Sequence, residues 1–135
     1  MVNALYDKGR EGFLGGDIDW DGDDIKCVLV DTNDYTPNLA TDDTLSDIPV
    51  AARVATSGNL TSKTITAGVA DAADVTFSAV TGDPCEALVI YKDTGDPATS
   101  RLIARIDTAT GLPVTPDGSD VTVTWDGGAN RIFRL

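Results

Sequence analysis

The chain has 135 residues, about one ordinary domain, and sets 22 acidic against 10 basic residues for a net charge of −12. It contains no histidine and two cysteines, which excludes Ser-His-Asp triads, Cys-His dyads and zinc sites built on His or on four Cys. So acidic a surface repels nucleic-acid phosphates and anionic lipid headgroups, and neither nucleic acid nor membrane is an expected partner.

Twenty of the acids are Asp; Glu11 and Glu86 are the two Glu. Asp favours turns and Glu suits helices, so the bias points to a chain rich in loops and strands. The opening residues 1–7 lack the basic and apolar regions of a signal peptide, and no apolar run approaches the ~18–20 residues of a membrane span, so a soluble protein is expected.

Residues 3–14 read as a short helix, with Val2, Leu5, Tyr6 and Phe13 near one stripe and Gly15-Gly16 as the stop. Gly9 and Gly12 inside it cost about 1 kcal/mol each against alanine. Such a helix needs a surface to pack on, its own sheet or a neighbouring subunit. After the acidic stretch 17–24, residues 25–30 form a mostly buried strand. Residues 31–47, with Asn33, Pro37 and Asn38, are a long connection of the kind that is functional or an extended arm. Residues 48–54, broken by Pro49, suit an edge strand or irregular structure.

Residues 61–66 and 74–80 then read as strands, and 87–91 (Ala-Leu-Val-Ile-Tyr) as a central one. Residues 101–107 return as a strand, with Arg101 and Arg105 on one face and Ile103 between them. Val121, Val123 and Trp125 alternate with polar residues, and Asp126-Gly127-Gly128-Ala129-Asn130 leads to 131–135 as the second strand of a hairpin. Strands without alternating helices predict an all-β fold: an antiparallel β-sandwich, jelly-roll or immunoglobulin-like, with a short N-terminal helix. The expected organisation is one domain over 1–135, with 1–20 as helix or arm and 25–135 as the sandwich.

The sharpest local motif is Asp17-Ile18-Asp19-Trp20-Asp21-Gly22, which opens as a calcium loop does. Asp17, Asp19 and Asp21 are the candidate ligands. The twelfth position, where such a loop carries a bidentate Glu, is Val28; the alternative is a solvated acidic turn. No other cofactor is implied. Cys27 and Cys85 read as small apolar residues on or beside strands, with one disulfide arithmetically allowed. Arg101, Arg105, Arg131 and Arg134 suit internal salt bridges more than partner contacts. Ser57 and Ser119 have no marked base and no G-x-S-x-G elbow, and the eight aromatic residues are too few for an aromatic-lined carboxylate cleft. No catalytic residue is assigned, and the chain is not expected to be an enzyme.

Residues 3–14 (Asn-Ala-Leu-Tyr-Asp-Lys-Gly-Arg-Glu-Gly-Phe-Leu), Gly16-Asp17-Ile18-Asp19-Trp20, Val28-Leu29-Val30-Asp31, Leu45-Ser46-Asp47-Ile48-Pro49, residues 121–126 and Ile132-Phe133-Arg134-Leu135 together resemble the small virion structural proteins of tailed bacteriophages. Some of these are head decoration, or cement, proteins. The resemblance implies a virion location, the major capsid protein or other virion proteins as partners, a homo-oligomer, and no catalytic residues. The first ~20 residues and the 31–47 arm are then the candidates for bridging adjacent capsomers, ordered on docking. The alternatives are that both segments cover the domain's own sheet, and that the protein is a tail, neck or fibre-associated β-sandwich module binding carbohydrate or calcium.

Overall fold

The computed structural model describes residues 3–129 and 131–135. Among them the regular elements are β1 (Ala4–Leu5), α1 (Asp7–Gly15), β2 (Ile25–Val30), β3 (Arg53–Thr56), β4 (Thr64–Thr66), β5 (Val69–Asp71), β6 (Val75–Phe77), β7 (Ala87–Lys92), β8 (Leu102–Ile106), β9 (Val121–Val123) and β10 (Phe133–Arg134). The fold is mostly β, every strand pair is antiparallel, and α1 is short. A five-stranded sheet runs β1-β8-β7-β2-β3, beside a three-stranded sheet β10-β5-β4 and the pair β6-β9.

The large sheet grows from β2 and β7, paired without interruption from Ile25↔Lys92 to Val30↔Ala87. Both are near-continuous apolar runs because both faces of the sheet are covered. Ile25, Cys27, Leu29, Leu88 and Ile90 face one core, joined there by residues of the two smaller sheets such as Ala70, Phe77, Val123 and Phe133. Val28, Val30, Ala87, Val89 and Tyr91 face a second core. Cys27 and Cys85 are buried free thiols, which closes the disulfide alternative. Burial pushes the Cys85 thiol up to about 11 and Cys27 higher still.

The N-terminal segment departs from expectation. The helix starts at Asp7, and Ala4 and Leu5 pair with Arg105 and Ala104. Leu5 and Tyr6 belong to opposite cores, an alternation that an extended backbone delivers and a helical turn does not. Ala4 and Leu5 thus supply an edge strand of the main sheet ahead of the helix; Val2 lies outside the described residues. The two helix glycines have a packing role. A Cβ at Gly9 would sit 2.8 Å from the Leu102 carbonyl oxygen and 2.9 Å from Ile103 Cα, and one at Gly12 would meet the Ile18 side chain at 2.5 Å. The absence of a side chain at Gly9 lets α1 lie directly on β8, and at Gly12 it leaves room for Ile18.

The 31–47 segment is not an extended arm. With the short 3-10 turns Leu45–Asp47 and Val50–Ala52 it lies over the second core, burying Tyr35, Leu45, Ile48 and Ala52 against the sheet. Tyr35 donates its hydroxyl proton to the Asp42 carboxylate (2.8 Å), so the Tyr6 hydroxyl donates to that of Tyr35 (2.6 Å). Burial raises both phenols. The stretch 48–54 is irregular through the Val50–Ala52 turn and then enters β3, an edge strand, so both alternatives for it are realised in part.

Two pairings also differ from the sequence reading. β9 and β10 do not form a hairpin: β9 pairs with β6, and β10 crosses to β5 with Phe133 opposite Ala70. The crossing buries Phe133 against Trp20, edge to face at 5.2 Å, and beside Phe13 at 5.9 Å, a burial gain that outweighs local pairing. β8 carries a bulge: Leu102 faces Tyr91 and Ala104 faces Ile90, so Ile103 is the extra residue. The bulge reverses the alternation between Arg101 and Arg105, which therefore do not share a face.

Candidate functional site

Loop 17–24 connects α1 to β2, and its pattern is amphipathic alternation. Ile18 and Trp20 are buried, and Trp20 donates its indole N–H to the Asp71 carbonyl at 3.1 Å. Asp17, Asp19 and Asp21 are all exposed on the outer side of the same stretch. The Asp19 carboxylate accepts the Gly22 N–H (3.3 Å), closing its own turn, and Asp17 lies 4.0 Å from Arg101. The Asp23 carboxylate accepts the Asp19 N–H (2.8 Å) and pairs with Lys92 on β7 (3.2 Å). Burial works to raise the Asp23 pKa, but these hydrogen bonds outweigh it and hold the group below its ordinary value. The spacing D-x-D-x-D therefore does not gather the three candidate ligands.

Among the described residues, the three-carboxylate group whose oxygens come within 4.8 Å of one another is Asp31, Asp34 and Asp83, a buried Asp under two exposed ones. The signal for it was absent from local spacing, because Asp83 arrives from the loop before β7. Asp31 is already used in part, accepting the Asn33 N–H at 2.9 Å.

The hydroxyls raised by the sequence are structural. The Ser57 hydroxyl accepts the Cys27 N–H at 2.8 Å, and Ser119 closes a turn onto Asp117. Arg101 pairs with Asp43 (3.2 Å) and Arg105, itself buried, with Asp107 (3.1 Å), as expected of internal salt bridges. Arg131 and Arg134 depart from that expectation: both are exposed, and neither makes an ion pair among the described residues.

What remains is a surface suited to contact. A groove of about 180 Å³ is lined by Phe13, Ile18, Trp20, Ile65, Val69 and Phe133, with Leu135 at its edge and Asp19 on its rim. Three elements build it: the end of α1 gives Phe13, loop 17–24 gives Ile18 and Trp20, and the sheet β10-β5-β4 gives the row Ile65, Ala70 and Phe133. Ile65 and Leu135 are each 57% exposed, and Leu14, next to Phe13, is 86% exposed. In the sequence Phe13 has a place on the helix stripe and Trp20 one inside the acidic motif, with no signal that the two meet or that β4 completes the wall. No protein-family model matches the chain. No curated protein matches it either. No helix among the described residues is long and apolar enough to cross a membrane.

Proposed function

We propose that this protein is a structural component of a tailed-phage virion, a decoration protein that binds the outer surface of the major capsid shell and stabilises it. The observation that carries the reading is the apolar groove with exposed Ile65 and Leu135 on a molecule of net charge −12. Contiguous apolar surface with a charged rim is the mark of a contact site. Its occupant is an apolar segment of a shell subunit flanked by basic side chains, which the acids of loop 17–24 attract from the rim. The residue resemblance given above supports the same location, and strong acidity suits the outside of a shell better than its DNA-facing lumen.

In this reading the fold is a β-sandwich, the β10-β5-β4 and β6-β9 sheets forming the second layer across the core they share with the large sheet. The protein acts without catalysis or cofactor, as a homo-oligomer about a local shell axis. Residues 31–47 serve the fold, packed on the protein's own sheet, whereas the N-terminal segment both packs there and lends Phe13, Ile18 and Trp20 to the contact groove.

The test adds purified protein to expanded shells assembled without it. A raised shell melting temperature is expected, together with loss of binding in Ile65→Asp/Leu135→Asp, whose own unfolding should stay close to wild type. Shells that melt at the same temperature with and without the protein refute the proposal.

A further inference from the structure

Adjoining the apolar groove at Phe133, which lines both, is a second, polar groove of about 310 Å³. Its walls are two sheet edges. Asn3, Ala4 and Leu5 bring β1, the outermost strand of the large sheet, and Ile132, Phe133 and Arg134 bring β10, the outermost strand of the small one. Each strand is paired on one side only within its sheet, and both line the groove. Half of the six arginines of this acidic chain line the same groove: Arg10 from α1, Arg131 and Arg134. Arg10 makes a solvent-exposed pair with Asp7 at 3.3 Å, while Arg131 and Arg134 make none among the described residues. Arg131 is further held at φ 46°, in the left-handed region that a residue with a Cβ seldom adopts. Asp126 also lines the groove and accepts the Gly128 N–H.

We propose that this groove binds an extended acidic segment of a partner polypeptide, added as a strand at the β1 or β10 edge with its carboxylates on Arg10, Arg131 and Arg134. Open edges supply main-chain hydrogen bonds to an incoming strand, and guanidinium forks match carboxylates in geometry and charge. Alternate residues of a strand stand about 6.6–6.8 Å apart on one face, so an acidic residue at every second position presents charge to the arginines. The residues between meet the apolar floor of Leu5, Ile106 and Ile132. A nucleic acid is the poorer fit: it has no main chain to pair with a strand, and its charge density of one phosphate per ~1.7 Å of duplex meets strong repulsion from a molecule of net charge −12. The site is separate from the apolar groove and does not require the capsid reading.

The test measures fluorescence anisotropy of a labelled eight-residue peptide alternating Glu and Val, against a Lys-Val peptide and a labelled oligothymidylate. Saturable binding of the Glu-Val peptide is expected, at least tenfold weaker for Lys-Val, for Arg131→Ala/Arg134→Ala, and on raising salt from about 50 to 300 mM. Both arginines are exposed, so thermal unfolding of the double variant should match wild type. On the wild-type protein, amide shifts induced by the peptide should concentrate in residues 3–5 and 131–135. No saturation by Glu-Val, equal binding of all three probes, tighter binding of oligothymidylate, or shifts centred elsewhere would each overturn the proposal.

Discussion

On one face of the five-stranded sheet, Leu29, Leu88 and Ile90 meet side chains delivered by other strands and by Trp20. On the opposite face, Val28, Val30 and Val89 meet Tyr35, Leu45 and Ile48, delivered by a segment whose regular structure amounts to two single-turn helices. Both faces are equally dry, so burial does not distinguish them. What differs is where the covering backbone finds its hydrogen bonds. Strands satisfy one another through ladders, whereas a coil pairs its backbone piecemeal, as Leu45 does with the Ser100 carbonyl, and recruits side chains for the N–H groups its turns leave over. Here Asp carboxylates do so: Asp42 accepts the Asn38 N–H, Asp47 accepts those of Asp43 and Thr44, and Asp31 accepts that of Asn33.

The difference can be broken from either side. Trp20→Ala removes the aromatic that closes the strand-covered face and should cost about 3–5 kcal/mol in urea unfolding, the largest effect expected. Gly9→Ala separates local from tertiary demands. Helix propensity alone favours alanine by about 1 kcal/mol, but the 2.8 Å approach to the Leu102 carbonyl should reverse the sign and destabilise by about 1–3 kcal/mol. A stabilised Gly9→Ala would show that α1 does not rest on β8. On the coil-covered face, Tyr35→Phe interrupts the chain from Tyr6 to Asp42 and should cost about 1–2 kcal/mol, with Tyr6→Phe/Tyr35→Phe costing less than the sum of the single changes.

The smallest effect is set by pH. The Lys26 ammonium, 2.7 Å away, holds Asp93 below its ordinary value, and Asp23 is lowered likewise. A carboxylate with a depressed folded-state pKa contributes stability above its unfolded value, near ~3.9, and that contribution fades as pH falls through the folded value. The thermal midpoint should therefore drop below about pH 4, while between about pH 6 and 9 it stays flat, since there is no histidine and the Cys85 thiol is pushed up to about 11. A marked slope near pH 7 would contradict this.

The legible parts of the molecule are those where one residue period meets one environment. β2 and β7 were readable because burial on both faces leaves a plain apolar run, and β9 because Val121 and Val123 alternate with Thr. β5 was missed because its turn from β4 uses Ala67-Gly68, both at positive φ, and alanine is no turn signal. The 17–21 stretch was read for its aspartates, although the buried Ile18 and Trp20 between them decide which way each carboxylate faces. The partner of β10 was out of reach, since it depends on an aromatic contact between Phe133 and Trp20 that no local pattern encodes. The apolar groove shares that difficulty: its walls come from three separate parts of the chain.

The carboxylates at turns carry a last implication. At least eleven of the twenty aspartates accept a backbone N–H, among them Asp19, Asp74, Asp96, Asp117, Asp120 and Asp126. Asparagine has the same acceptor oxygen at the same reach. Apart from Asp23 and Asp93, whose charge also holds a lysine, architecture thus specifies the amide-or-acid oxygen and leaves ionisation free, so the molecule's electrical character can drift from strongly anionic toward neutral, residue by residue, without redrawing a single loop.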